Sequence, residues 1–252
     1  MKKTYPILEF DQNPVALFNP EDVIKNKRLP SRLILCFFND VINHLLKEDK
    51  IFPIETYYSE SGPSIVYQFR NVEIAIVLGS LGGPASVGFL EEYIASGVKS
   101  IILCGGAGVL VKEIPLGGLL VVDSAIRDEG TSYHYVRPSR EIKANPSIVK
   151  LIQYYLIEHQ IPHQVGKTWT TDAFYRETQD KIALRKQEKA LVVEMEQASI
   201  MALTQFRNVK YGAILYGGDD LSDVTWDHRF WQSRSEIRRN LVEICQEIIQ
   251  YY

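Results

Sequence analysis

The chain has 252 residues, 46% of them apolar and 23% charged, with a formal net charge of -3. It is long enough to bury a full core, and its scattered Lys and Arg residues offer no basic footprint for nucleic acid. Three separated cysteines, Cys36, Cys104 and Cys245, suggest neither a disulfide framework nor a zinc cluster, and no stretch approaches the roughly 20 apolar residues of a membrane span, so a soluble, unexported, cytoplasmic protein is expected.

In chain order, apolar residues at Leu33, Ile34, Phe37, Phe38, Val41, Ile42, Leu45 and Leu46 predict one amphipathic helix over Ser31 to Glu48. Ile51 to Tyr58 and Ser64 to Phe69 predict strands on either side of the turn Ser61-Gly62-Pro63. Val72 to Leu78 predicts an apolar strand entering a first glycine turn, Gly79-Ser80-Leu81-Gly82-Gly83-Pro84, with a helix over Ala85 to Gly97 behind it. Ser100 to Cys104 predicts a buried strand ending in a second glycine turn, Gly105-Gly106-Ala107-Gly108. Beyond it come a strand over Leu119 to Ala125, a helix over Pro146 to His159, a strand over His163 to Thr170 and a loop over Thr171 to Thr178. A helix over Lys181 to Lys189, a strand over Leu191 to Val193, a helix over Gln197 to Gln205, a strand over Tyr211 to Tyr216 and a closing amphipathic helix from about Gln232 to Tyr251 complete the pattern. Alternation of strands and helices predicts an α/β fold: a single domain over 1–252 with a mixed, mostly parallel central sheet flanked by helices.

Five segments at strand ends carry polar chemistry. Leu191 to Ser199 places Glu194, Met195 and Glu196 where an apolar strand meets a helix, the crevice in which open α/β sheets hold ligands. A glutamate there can accept two hydrogen bonds from a vicinal diol such as ribose, although acids at a helix start also satisfy the helix dipole. The two glycine turns let backbone N–H groups approach a ligand, or simply serve tight strand-to-helix turns; neither matches a dinucleotide or P-loop fingerprint. Phe174 and Tyr175 offer aromatic faces to a heterocycle, with core packing of Phe174 as the competing reading. Asp219 and Asp220 end a strand as adjacent acids, which suits a general acid and equally suits a helix cap or turn.

Taken together, these segments resemble the nucleoside phosphorylase-I family, which includes purine nucleoside phosphorylases, uridine phosphorylases and methylthioadenosine nucleosidases. The likeness rests on Ile101 to Leu110, Asp123 to Tyr135 (Asp-Ser-Ala-Ile-Arg-Asp-Glu-Gly-Thr-Ser-Tyr-His-Tyr), Thr171 to Tyr175, Val193 to Ala198 and Ala213 to Asp220. The resemblance implies a nucleoside phosphorylase-like fold and a homo-oligomer that splits the N-glycosidic bond of a nucleoside with phosphate as co-substrate and no metal or cofactor. It implies that Glu196 holds the ribose hydroxyls, that Met195 packs on the sugar, and that Glu194 sits near the base or braces the site. Phe174 would stack on the base, with Thr171 beside it. Asp219 falls where purine-specific members keep the aspartate that protonates the ring nitrogen, with Asp220 treated as part of one acidic unit and Arg234 as the group polarising it. His134 is expected to be packed rather than catalytic.

Two departures bear on the nucleophile. Phosphorylases of this family carry an arginine and a serine or threonine for phosphate where Leu103 and Gly106 stand, and the usual Gly-Asp-Pro loop is missing near Asn19-Pro20-Glu21-Asp22. A phosphate site would then be built from Gly79, Ser80, Gly105, Gly106 and arginines such as Arg127 or Arg70; without one, water would attack and the enzyme would be a nucleosidase. A catalytically silent nucleoside-binding protein is the third alternative.

Overall fold

The computed structural model describes residues 2–230 and 233–252. Along the chain the helices and strands are α1 (Pro20–Val23), β1 (Arg32–Cys36), α2 (Asn39–Lys47), β2 (Ile51–Ser59), β3 (Gly62–Phe69), β4 (Ala75–Leu78), α3 (Gly83–Ala95), β5 (Ser100–Val109) and β6 (Leu119–Asp128). There follow β7 (Glu141–Lys143), α4 (Pro146–Glu158), β8 (His163–Thr171), α5 (Gln179–Gln187), β9 (Ala190–Glu194), α6 (Gln197–Phe206), β10 (Lys210–Asp220) and α7 (Ser235–Ile248).

All ten strands join one mixed sheet in the order β10-β6-β8-β9-β5-β1-β4-β3-β2, with β7 added to β6. Because β10 also pairs with β5, the strands β5, β10, β6, β8 and β9 close into a ring, and β1 to β4 extend from it as an open wing. The pairings of β1 with β4 and β5, of β5 with β10, and of β8 with β6 and β9 are parallel. Helices cover both sides. Val87, Leu90, Ile200 and Leu203 of α3 and α6 pack against one face of β1, β4 and β5, while Val41, Ile152, Leu241 and Cys245 of α2, α4 and α7 pack against the other. A smaller cluster gathers around the buried Trp169 with Leu110, Ile126, Ala190 and Val193.

Three expectations change. The helix expected over Ser31 to Glu48 is the strand β1 followed by the shorter helix α2, because the continuous run Leu33 to Phe38 is a buried parallel strand, whose uninterrupted apolar character also fits a buried helix. The second glycine turn is not a turn: Gly105 to Gly108 continue β5, with Gly105 to Ala107 in register with β10 and Gly108 opposite Val193 of β9. The final helix is α7, starting at Ser235; of its expected start, Gln232 lies outside the described residues, and the chain closes with a 3-10 turn over Ile249–Tyr251.

Candidate active site

Strand β9 ends at Glu194 and α6 begins at Gln197, so Glu194, Met195 and Glu196 occupy the junction between them. Glu194 is buried and accepts four hydrogen bonds: from the hydroxyls of Thr170 at 2.6 Å and Thr168 at 3.1 Å, and from the backbone N–H groups of Glu196 at 2.6 Å and Gln197 at 2.7 Å. Two of those donors are the exposed amides at the start of α6, where negative charge is favoured. Glu196 is also buried, and its Oε1 accepts from the N–H of Gly82 at 2.6 Å. Gly82 holds φ at +87°, a conformation that glycine adopts without strain and that aims this amide at the carboxylate. Burial raises both carboxyls, and Glu194 beside it raises Glu196 further, to about 8. The four donors to Glu194 offset part of the effect of its burial.

A cleft of about 560 Å³ opens above this junction. Its walls include Glu194, Met195 and Glu196, Val193, Gly105 and Gly106 of β5, Phe174 and Glu177 from the loop after β8, and Asp219 from β10. Phe174 and Tyr175 stand on a 3-10 turn with ring centroids 4.1 Å apart, and Phe174 is 45% exposed, so it is a rim residue and not a core one. Asp219 accepts a hydrogen bond from Trp226 Nε1 at 2.7 Å. Glu177 is half-buried, and burial together with Asp219 pushes its carboxyl up to about 7. Glu177 and the buried pair Glu194 and Glu196 give the cleft groups able to donate or accept a proton near neutrality. Among the described residues no group of three or more His, Cys, Asp or Glu side chains is placed to hold a metal ion, and no helix is long and apolar enough to cross a membrane.

A family model described as the phosphorylase superfamily matches residues 32–250. The chain belongs to the phosphorylase superfamily. A guanosine phosphorylase of Halorubrum lacusprofundi is 28% identical over 148 residues, covering 58% of this chain and 61% of the relative, so the chain spans less than two thirds of that relative's length. Two solved structures share the superfamily fold. Uridine phosphorylase from Vibrio fischeri superposes with a TM-score of 0.73 at 20% identity, over 89% of this chain and 93% of that one. The 5'-methylthioadenosine/S-adenosylhomocysteine nucleosidase of Helicobacter pylori superposes with a TM-score of 0.72 at 19% identity, over 90% and 100%.

Within this superfamily fold, the residues singled out in the sequence fall into two groups. Phe174, Glu194, Met195, Glu196, Gly105, Gly106 and Asp219 line one cleft. Thr171, Gly79, Ser80, Arg127, Asp220 and Arg234 do not line it. Thr171 is buried, and its hydroxyl accepts from the N–H of Ala173, which shapes the loop that carries Phe174. The first glycine turn serves the cleft through Gly82 and Leu81; Gly79 donates to the Cys36 carbonyl and the Ser80 carbonyl accepts from Ser86. Arg127 is buried away from the cleft, where it donates to the Ser132 and Ser139 hydroxyls and the Arg137 carbonyl and stacks on Tyr133 at 4.1 Å; it holds together the segment that carries much of the family likeness. Arg70 pairs with Asp49 on the surface.

The acidic pair does not act as a unit. Asp220 accepts from the N–H of Ser222 at 2.7 Å and pairs with Arg229, which ties down the loop after β10, while Asp219 points to the cleft. Arg234 donates to the Arg229 carbonyl at 2.8 Å, whereas Asp219 accepts from Trp226. His134 is exposed, on a 3-10 turn outside the cleft lining. Sequence reasoning missed Glu177, Trp226, Tyr216 and Arg238, all of which line the cleft. Glu177 closes the polar run that begins at Thr170 and could have been singled out there; Trp226, Tyr216 and Arg238 left no local signal.

Proposed function

We propose that the protein is a nucleoside phosphorylase that cleaves the N-glycosidic bond of a purine nucleoside with phosphate, giving free base and ribose 1-phosphate. The observation that carries this reading is the convergence on one cleft of an aromatic rim residue, Phe174, a Met195 and Glu196 floor and an acid, Asp219. In this arrangement Phe174 stacks on the base and Glu196 takes the sugar hydroxyls. The scissile bond breaks through an oxocarbenium-like state whose positive charge the carboxylates near the sugar stabilise. Asp219 supports protonation of the ring nitrogen, so the departing base leaves neutral. Glu194, with all four hydrogen bonds made inside the protein, braces the junction and does not itself contact ribose. The reading includes a homo-oligomer working without metal or cofactor in the cytoplasm.

One observation favours a second reading, hydrolysis. Leu103, an apolar residue, and Gly106, without a side chain, line the cleft where the resemblance leads one to expect phosphate-binding groups. A panel of purine and pyrimidine nucleosides, assayed for free base with and without phosphate, separates the two. Release of purine that requires phosphate and yields ribose 1-phosphate is expected; equal release without phosphate would replace phosphorolysis by hydrolysis, and no release from any nucleoside would leave a binding protein.

A further inference from the structure

Glu129 follows β6 directly and is a buried acid outside the cleft lining. Its two carboxyl oxygens accept three hydrogen bonds: from the Ser132 N–H at 2.9 Å, from the Ser132 hydroxyl, and from the Ser199 hydroxyl at 2.5 Å. Ser132 sits on the 3-10 turn Thr131–His134, where its hydroxyl also accepts from Arg127 Nε at 2.8 Å. Ser199 is fully buried in the first turn of α6, the helix that opens at the cleft. One acid therefore ties the turn after β6 to the start of α6.

Ser199 stands three positions beyond Glu196, close to one helical turn along α6. Gly83, the first residue of α3, packs on the same hydroxyl: a Cβ added there would collide with Ser199 Oγ and lie 3.1 Å from the Thr131 hydroxyl. The start of α3 is thus seated between α6 and the 3-10 turn, the two elements that Glu129 joins. Immediately before it, Gly82 holds its φ of +87° and donates its amide to Glu196 Oε1 at 2.6 Å. The placement of that amide depends on how closely α3 approaches α6. That approach depends in turn on the Ser199 hydroxyl being held toward Glu129.

Resting on the reading in which Glu196 takes the sugar hydroxyls, we propose that Glu129 is a positioning residue for Glu196, acting through Ser199 and the Gly82-Gly83 turn, and that it thereby sets a preference of the cleft for ribonucleosides over 2'-deoxyribonucleosides. A carboxyl pinned at one oxygen presents the other at a fixed angle, and a hydrogen bond weakens steeply once donor and acceptor leave line. Release of the Gly82 amide lets the Glu196 carboxyl turn. A ribonucleoside then loses the bond that its 2'-deoxy counterpart never makes, so the first substrate suffers and the second does not.

The test compares the parent with Glu129→Ala, Glu129→Gln and Ser199→Ala by two readouts: hydrogen exchange of the Gly82 amide, followed by NMR, and kcat/KM for a purine ribonucleoside that the parent cleaves and for its 2'-deoxy counterpart. In Glu129→Ala the Gly82 amide is expected to exchange at least about tenfold faster while the amides of β5 keep the parent rates. The ratio of kcat/KM for the ribonucleoside to that for the deoxynucleoside is expected to fall about 3- to 10-fold, the worth of one hydrogen bond. Glu129→Gln keeps an amide oxygen to accept from Ser199 and from the Ser132 N–H, and restores most of both. Ser199→Ala, which leaves Glu129 bonded to Ser132, reproduces the effects of Glu129→Ala and decides the matter if that variant does not fold. Unchanged Gly82 exchange in the folded variants overturns the relay, and fast exchange with an unchanged ratio overturns the role in specificity. If the parent cleaves no nucleoside, the nucleoside reading fails by itself, and Gly82 exchange still decides whether Glu129 positions Glu196.

Discussion

Trp226 is 61% exposed, yet its indole N–H donates to the inner acid of the cleft at 2.7 Å. A base that engages Asp219 competes with that indole, whereas Asp220, one position on, is committed to Ser222 and Arg229. Successive side chains on a strand leave on opposite sides, so the sequence pair Asp219-Asp220 divides into one acid for chemistry and one for holding a loop. Asp219→Asn is therefore expected to lower kcat by about 10²- to 10⁴-fold, the usual contribution of a general acid, with the fold retained. Asp220→Asn should leave kcat within a few-fold and instead speed proteolytic cleavage between residues 221 and 230. Steady-state kinetics and limited proteolysis of the two variants side by side would refute the division if Asp220→Asn lost activity as severely as Asp219→Asn.

The junction of β9 and α6 is the element on which the site depends, and its acids give it a pH signature. Glu196 is raised to about 8 by burial and by Glu194, while an unfolded chain ionises it near 4.5. Below about pH 4.5 both states hold the proton and nothing is lost; between there and about pH 8 only the folded state holds it, so folding stability falls as pH rises, and above the folded value the loss is complete. Glu196→Gln removes this loss. Its stability relative to the parent should climb from pH 5 to pH 8.5 by an amount on the order of a few kcal/mol, read from denaturant midpoints at both values; a gap that stays constant with pH would contradict it. This junction was legible in the sequence because Leu191 to Val193 and Gln197 to Leu203 bracket the acids with clear apolar runs. The stretch Leu33 to Phe38 was not, since a parallel strand buried on both faces loses the alternation that separates it from a helix. Gly105 to Gly108 misled for a different reason: glycines there answer to neighbours across the sheet, Tyr216, Val193 and Leu221, which no local pattern displays. The same holds for Arg238, whose partners Tyr216 and Asp40 are 22 and 198 positions away.

At the scale of the molecule, β5 bonds to β1, β9 and β10 and lies almost wholly in the core, whereas β2 and β3 form the outer hairpin of the open wing. Local opening follows burial and pairing. Amides of β5 and β1 are expected to exchange at least about tenfold more slowly than those of β2, measurable by hydrogen exchange with mass spectrometry; equal rates would mean that ring and wing open together. The cleft is floored by this closed set of strands, and the segments 174–177 and 221–230 contribute Phe174, Tyr175, Glu177, Leu221 and Trp226 to its walls. A base that takes the Asp219 carboxylate displaces the Trp226 indole, so tryptophan emission is expected to shift on ligand binding, and Trp226→Phe separates that shift from the emission of the chain's other two tryptophans, Trp169 and Trp231.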